Sequence, residues 1–151
     1  CQNNSEDFLP LAEQPLLKGL SNSDLEKLQD NVTLTEYESG FKIIGLNEKA
    51  DGLYFLRSGK VSVMVDDDIY VSGLDAGTCF GELALIAPNA TRTANIIADT
   101  QVFCSFLSIK AFNEISLVNP KFNQLLLRNL GLILFERLKQ SNSKIIALSA
   151  N

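Results

Sequence analysis

Between Val32 and Ser108 the chain is cut into short runs, each too brief for a helix of ordinary length and each bounded by Gly, Asn or Asp. The runs VTLTEY, FKIIGL, GLYFLRSG, KVSVMV and IYVSGL carry alternation or β-branched residues, and the segments Arg92 to Ala98 and Val102 to Ser108 continue the pattern. Short strands at such close spacing predict a small antiparallel barrel or sandwich. Apart from one short turn within 81–87, helices are expected at the two ends. PLLKGLSNSDLEKL, Pro15 to Leu28, predicts two helical pieces, the second capped by Ser21 or Ser23 with Asp24 and Glu26 near its positive end. Lys110 to Leu117 predicts a short helix, and Pro120 suits the first turn of a longer one. In that longer helix Phe122, Leu126, Leu130, Ile133 or Leu134 and Leu138 recur at helical spacing, while Leu127, Leu132 and Phe135 widen the stripe enough for a second neighbour. Gly131 in its middle predicts close packing there. The 151 residues fit one domain, expected over 15–143, with 1–14 as linker or frayed end and 144–151 as a tail.

One piece has a different grammar. FGELALIAPNATRT, Phe80 to Thr93, interrupts the strands with an apolar stretch, Glu82 to Ala87, long enough for about one and a half helical turns, stopped by Pro88 and Asn89. A short helix starting at Gly81 exposes its first amides, a seat for an anion, and glycine lets a ligand approach the backbone. Arg92 can offer a fork of donors to phosphate oxygens. Glu82 beside them suits a sugar hydroxyl, so the set specifies a nucleotide better than free phosphate. The plainer alternative is that Glu82 caps the turn and pairs with Arg92 as a surface fastening.

Composition narrows the rest. With 13 Lys and Arg against 18 Asp and Glu the net charge is −5, so bulk charge does not draw the domain to nucleic acid or an anionic membrane. No apolar run is long enough to span a bilayer. There is no histidine, which removes His-based triads and most zinc chemistry, and no phosphate-loop motif of the triphosphate enzymes. Cys79 and Cys104 sit in apolar company and predict buried thiols. Cys1 in place of Met points to an excised or processed chain, with a lipid-modified terminus the less plain reading. Asp66, Asp67 and Asp68 lack the alternation of a calcium loop and predict a solvated hairpin turn.

FGELALIAPNATRTANIIADT resembles the phosphate-binding cassette of the cyclic nucleotide-binding domain family, and GLYFLRSGKVSV upstream is similar to that family's strand, glycine turn and strand. The likeness covers nearly all of residues 15–143. It implies an all-β core with flanking helices: a double-stranded β-helix, jelly-roll-like barrel of about eight strands with N-terminal helices, a short cassette helix and a long C-terminal helix. It further implies a ligand site at Phe80, Gly81, Glu82, Leu83, Ala84, Arg92 and Thr93. The cyclic phosphate would lie on Gly81 and the amides of Leu83 and Ala84, with Arg92 on its exocyclic oxygens, and Glu82 would take the ribose 2'-hydroxyl. Thr93 leaves cGMP open beside cAMP. Asn95 stands where the family carries an apolar residue of the pocket wall, and base contacts are expected from the long helix, with Asn123, Gln124, Arg128, Asn129 and Glu136 as candidates.

The resulting expectation is a non-catalytic, cytoplasmic regulatory module, alone or as the cytosolic part of a membrane protein, that binds cAMP rather than cGMP as its first ligand, with no other cofactor. It would relay occupancy through the C-terminal helix to a covalently attached output domain, and the wide stripe of that helix leaves a homodimer or an adjoining domain open as its second neighbour. The alternative is a ligand-free structural or interaction domain of the same fold attached to a transporter, channel or enzyme. DNA binding as in the family's transcription factors needs a helix-turn-helix, for which the residues after Lys139 are too few. Phosphodiester hydrolysis ranks last, since no metal cluster or second carboxylate joins Glu82.

Overall fold

The computed structural model describes residues 8–149 apart from 67, 68 and 88, and side chains as far as 143. Expectations for Cys1, for Asp67 and Asp68 in the hairpin turn, for Pro88 as a helix stop and for the side chains of 144–151 lie outside the described residues.

Eight strands form two antiparallel four-stranded sheets. They are β1 (Thr33–Tyr37), β2 (Lys42–Ile44), β3 (Gly52–Ser58), β4 (Lys60–Val65), β5 (Ile69–Asp75), β6 (Cys79–Phe80), β7 (Asn95–Ala98) and β8 (Val102–Ser108). One sheet runs β1-β8-β3-β6 and the other β2-β7-β4-β5. Apart from the β4–β5 hairpin, hydrogen-bonded neighbours are not consecutive in sequence, which is the interleaved order of a jelly roll. The sequence runs account for seven strands. β6, two residues long, escaped them because a pair of residues carries no periodicity.

Helices flank the sheets. After 3-10 turns at Leu11–Glu13 and Pro15–Leu17 comes α1 (Asn22–Gln29), capped by Ser21, whose Oγ accepts from the Asp24 amide at 3.1 Å. Beyond β8, α2 (Ile109–Val118) is capped by Ser108, and α3 (Pro120–Ser149) opens on its proline. The expected linker at 1–14 is corrected at its second half. Leu9 donates to the Arg57 carbonyl and Leu11 and Gln14 are buried, because Arg57, tethered by Ser105, also holds the Leu9 carbonyl. The expected tail is corrected too: the backbone of α3 continues to Ser149.

β3 explains the two-layer packing. Leu53 and Phe55 join Leu16, Leu28, Phe112, Phe122, Leu126 and Leu130 in a cluster between sheet and helices, while Leu56 joins Ile44, Val61, Phe80, Ile96 and Cys104 between the sheets. A strand covered on both faces needs apolar residues at both parities, hence GLYFLRSG. Fully burying each Leu or Phe contributes about 1.5–3 kcal/mol, and this is what fixes α3 beside the sandwich. Only part of the α3 stripe is used. Phe122, Leu126 and Leu130 are buried, but Leu132, Phe135 and Leu138 are exposed. Gly131, expected to sit in close packing, has nothing within 4 Å of where a Cβ would stand. No described helix is long and apolar enough to cross a membrane.

Candidate functional site

β6 pairs with β3, setting Phe80 opposite Tyr54 with their rings stacked at 5.1 Å and 8°. The chain therefore leaves the sheet at a fixed point, and Gly81 turns it with φ +73°, a conformation that disfavours any side chain. A Cβ there would also lie 2.9 Å from Arg92 Nη1. Next comes a 3-10 helix, Glu82–Leu85, shorter than the expected one and a half turns, in which the Ala84 amide donates to the Gly81 carbonyl at 3.3 Å. The amides of Glu82 and Leu83 meet no backbone acceptor among the described residues.

Arg92 arrives from a segment clamped against the loop before β3. Its amide donates to the Glu48 carbonyl at 2.7 Å, and its carbonyl accepts from Asn47 at 2.9 Å. The guanidinium turns inward, and the residue is 8% exposed. Nη1 donates to the Gly81 carbonyl (3.0 Å), and Nη2 to the Gly52 carbonyl (2.7 Å) and to Asp51 Oδ1 (3.3 Å). The donor on Nε and the second on Nη1 have no acceptor among the described residues. A buried cation is costly unless paired. Three oxygens hold this one at the base of the turn.

Glu82 is also buried, at 8% exposure, but its partner is not Arg92. Arg137 of α3 donates through Nη1 to Glu82 Oε1 and through Nη2 to the Cys79 carbonyl at 3.0 Å. The expected Glu82–Arg92 fastening is thus replaced by one that ties the cassette to the C-terminal helix. Burial, and after it the Glu82 carboxylate, push the Cys79 thiol up to about 12; Cys104 is likewise pushed to about 12 by burial. Both are the buried, unreactive thiols the sequence predicts.

Around these groups lies a cavity of ≈ 330 Å³, walled by Ile44, Val63, Leu74, Phe80 and Ile96 and opening beside Gly81, Glu82, Leu83, Arg92, Thr93 and Arg137. Six of the seven expected site residues border it. Thr93 is exposed at its rim, and Ala84 is wholly buried beneath the turn. Asn95 does not spoil the wall: its side chain lies elsewhere, with Oδ1 accepting from the Leu46 amide at 2.7 Å. None of Asn123, Gln124, Arg128, Asn129 and Glu136 reaches this cavity. Asn129 instead donates to the Leu16 and Lys18 carbonyls at 2.8 and 2.9 Å, binding α3 to the N-terminal turns. Arg137 is the residue that sequence reasoning missed. Two signals pointed to it: it falls one heptad, about two helical turns, after Leu130 on the core-facing stripe, and a carboxylate in an apolar cassette needs a cation.

A family model described as cyclic nucleotide-binding domain matches residues 34–118. Glutaminase 1 of Bradyrhizobium diazoefficiens is 39% identical over 93% of this chain, which spans 22% of that relative's length. The cAMP-dependent protein kinase type II regulatory subunit of Drosophila melanogaster is 38% identical over 67% of this chain and 28% of its own length. Among solved structures, a cyclic nucleotide-binding domain from Methylobacillus flagellatus KT superposes with a TM-score of 0.77 over 96% of this chain and 91% of that one at 20% identity, a likeness of fold.

Proposed function

The chain belongs to the cyclic nucleotide-binding domain family, and from that premise we propose that it is a non-catalytic, cytoplasmic regulatory module whose ligand is a cyclic nucleotide, cAMP in preference to cGMP. The observation that carries the reading is the inward guanidinium of Arg92 held beneath Gly81 at the mouth of the apolar cavity. Its volume of ≈ 330 Å³ falls at the small end of the usual range for ligand pockets, about 300–1,000 Å³. The cyclic phosphate sits on the Glu82 and Leu83 amides and takes the remaining Arg92 donors, and the base occupies the wall of Ile44, Val63, Leu74 and Ile96. A named cAMP-dependent relative supports cAMP.

Occupancy reaches α3 through Glu82. The ribose 2'-hydroxyl would draw on the same carboxylate whose Oε1 Arg137 holds, so a bound nucleotide changes the free energy of the α3 position. Such a difference between two helix positions is the requirement for coupling. The chain spans about a fifth of the glutaminase relative's length, and an attached output domain is the proposed receiver. The second reading, a structural domain that has lost its ligand, draws support from the exposed Leu132, Phe135 and Leu138 of α3; a homodimer or an attached domain would cover them. A calorimetric panel of cAMP, cGMP and cyclic dinucleotides separates the two. The sensor reading expects saturable one-to-one heat with cAMP as the tightest ligand. Absence of heat and of any melting shift up to millimolar nucleotide supports the structural reading instead.

A further inference from the structure

None of the polar residues expected on α3 borders the nucleotide cavity, and Arg137, which does, is engaged by Glu82 and the Cys79 carbonyl. The strands offer a different reader of the base. Ile44 of β2, Ile96 of β7, Val63 of β4 and Ser72 of β5 all border the cavity, and the ladders set them in one row: Ile44 opposes Ile96, Ile96 opposes Val63, and Val63 opposes Ser72. The row crosses the whole sheet, three strand spacings or about 14 Å. It starts beside the cassette, where Ile44 Cδ1 lies 3.2 Å from the place a Cβ on Gly81 would take. It ends on a hydroxyl. Among the strand residues that border the cavity, Ser72 alone has a polar side chain.

A bulge puts Ser72 there. After Val65 opposite Ile69 and Met64 opposite Tyr70, a regular ladder would set Val63 against Val71 and Ser62 against Ser72. Val71 is passed over instead, and Val63 pairs with Ser72. A slip of one residue exchanges the two faces of a strand, and bulges at sheet edges re-aim side chains in this way. Ser62, on the other face of β4, donates its hydroxyl to the Asp99 carboxylate at 2.8 and 2.6 Å. Ser72, half-buried, gives its own to no acceptor among the described residues. We propose that the Ser72 hydroxyl hydrogen-bonds the 6-substituent of a purine, so that cyclic nucleotides of 6-substituted purines are the preferred ligands. The inference rests on the sensor reading above: with the phosphate at Gly81 and the base laid along the row, the six-membered ring lies furthest from the phosphate. In adenine the one exocyclic polar group of that ring is the 6-amino group. A hydroxyl both donates and accepts, so the contact admits 6-amino and 6-oxo purines and separates both from bases bare at that position.

The test is calorimetric titration of the native chain and of Ser72→Ala, each with cAMP and with purine riboside 3',5'-cyclic monophosphate, which lacks the 6-amino group. The native chain should bind cAMP about three- to tenfold more tightly than the unsubstituted nucleotide, the range expected of one neutral hydrogen bond. Ser72→Ala should erase that preference by weakening cAMP alone, with the affinity for the unsubstituted nucleotide changed by less than about twofold. Equal losses for both ligands, as a mere disturbance of β5 would give, or an unchanged cAMP affinity, overturn the inference and leave the sensor reading standing. Binding of neither nucleotide by the folded native chain overturns both.

Discussion

Arg92 and Glu82 are each buried, but they differ in what holds them. Arg92 is fixed by main-chain carbonyls of Gly81 and Gly52, whose positions β3 and β6 determine. Glu82 is held by a side chain, Arg137, from the C-terminal helix. Removing that cation leaves a carboxylate in an apolar setting. Because Arg137 remains partly solvent-exposed, the expected loss for Arg137→Met is about 1–3 kcal/mol rather than the larger cost of breaking a fully buried pair, read by denaturant unfolding and largely absent when Glu82→Gln is already present. The thiols make a separate prediction. Their folded values, raised to about 12 from an ordinary 9.0, mean that the native state keeps protons which the unfolded chain releases. Their stabilising contribution is complete below pH ~9 and is lost as pH rises toward ~12. Unfolding free energy should decline across that window and decline less in a Cys79→Ala/Cys104→Ala chain, as urea titrations at stepped pH will show.

Among the elements, the cassette turn and α3 use glycine in opposite ways. At Gly81 the backbone is left-handed and the space above Cα belongs to Arg92. Gly81→Ala is expected to cost at least about 1–2 kcal/mol of backbone strain and to displace the guanidinium, so stability and nucleotide affinity fall together. At Gly131 a methyl group meets nothing, and alanine should stabilise the helix by about 1 kcal/mol in thermal unfolding of the monomer. The sequence made Gly81 legible because FGELAL places a glycine before a carboxylate and an apolar stretch where the strand pattern is interrupted. It misled at Gly131, because a glycine between apolar residues reads alike whether a neighbour approaches or none does. Arg137 was obscured by its neighbours for a similar reason. In FERLKQ the charges look like a solvated face, and only the orientation of α3, set by Phe122, Leu126 and Leu130, decides which one turns inward.

At the scale of the whole molecule, the alternating runs revealed the sandwich and its helical flanks, since strand period and turn residues are local properties. Which strands pair was not local. The interleaved order of the two sheets brings Gly52, Gly81 and Arg92, far apart in sequence, to one place, and the family resemblance, not the spacing, carried that expectation. The same topology leaves β5 as an edge and part of α3 uncovered, features no periodicity could assign to a partner. What unites the account is the proposed phosphate seat, made of cassette amides without a backbone acceptor and of the Arg92 guanidinium. A charged hydrogen bond of this kind contributes about 1.5–3 kcal/mol. The most direct test is paired calorimetry of the native chain and Arg92→Ala with cAMP, with circular dichroism confirming that both are folded. The account predicts one-to-one binding by the native chain, weakened at least about tenfold by the substitution. Equal affinities, or no binding by a folded native chain at millimolar cAMP, would contradict it.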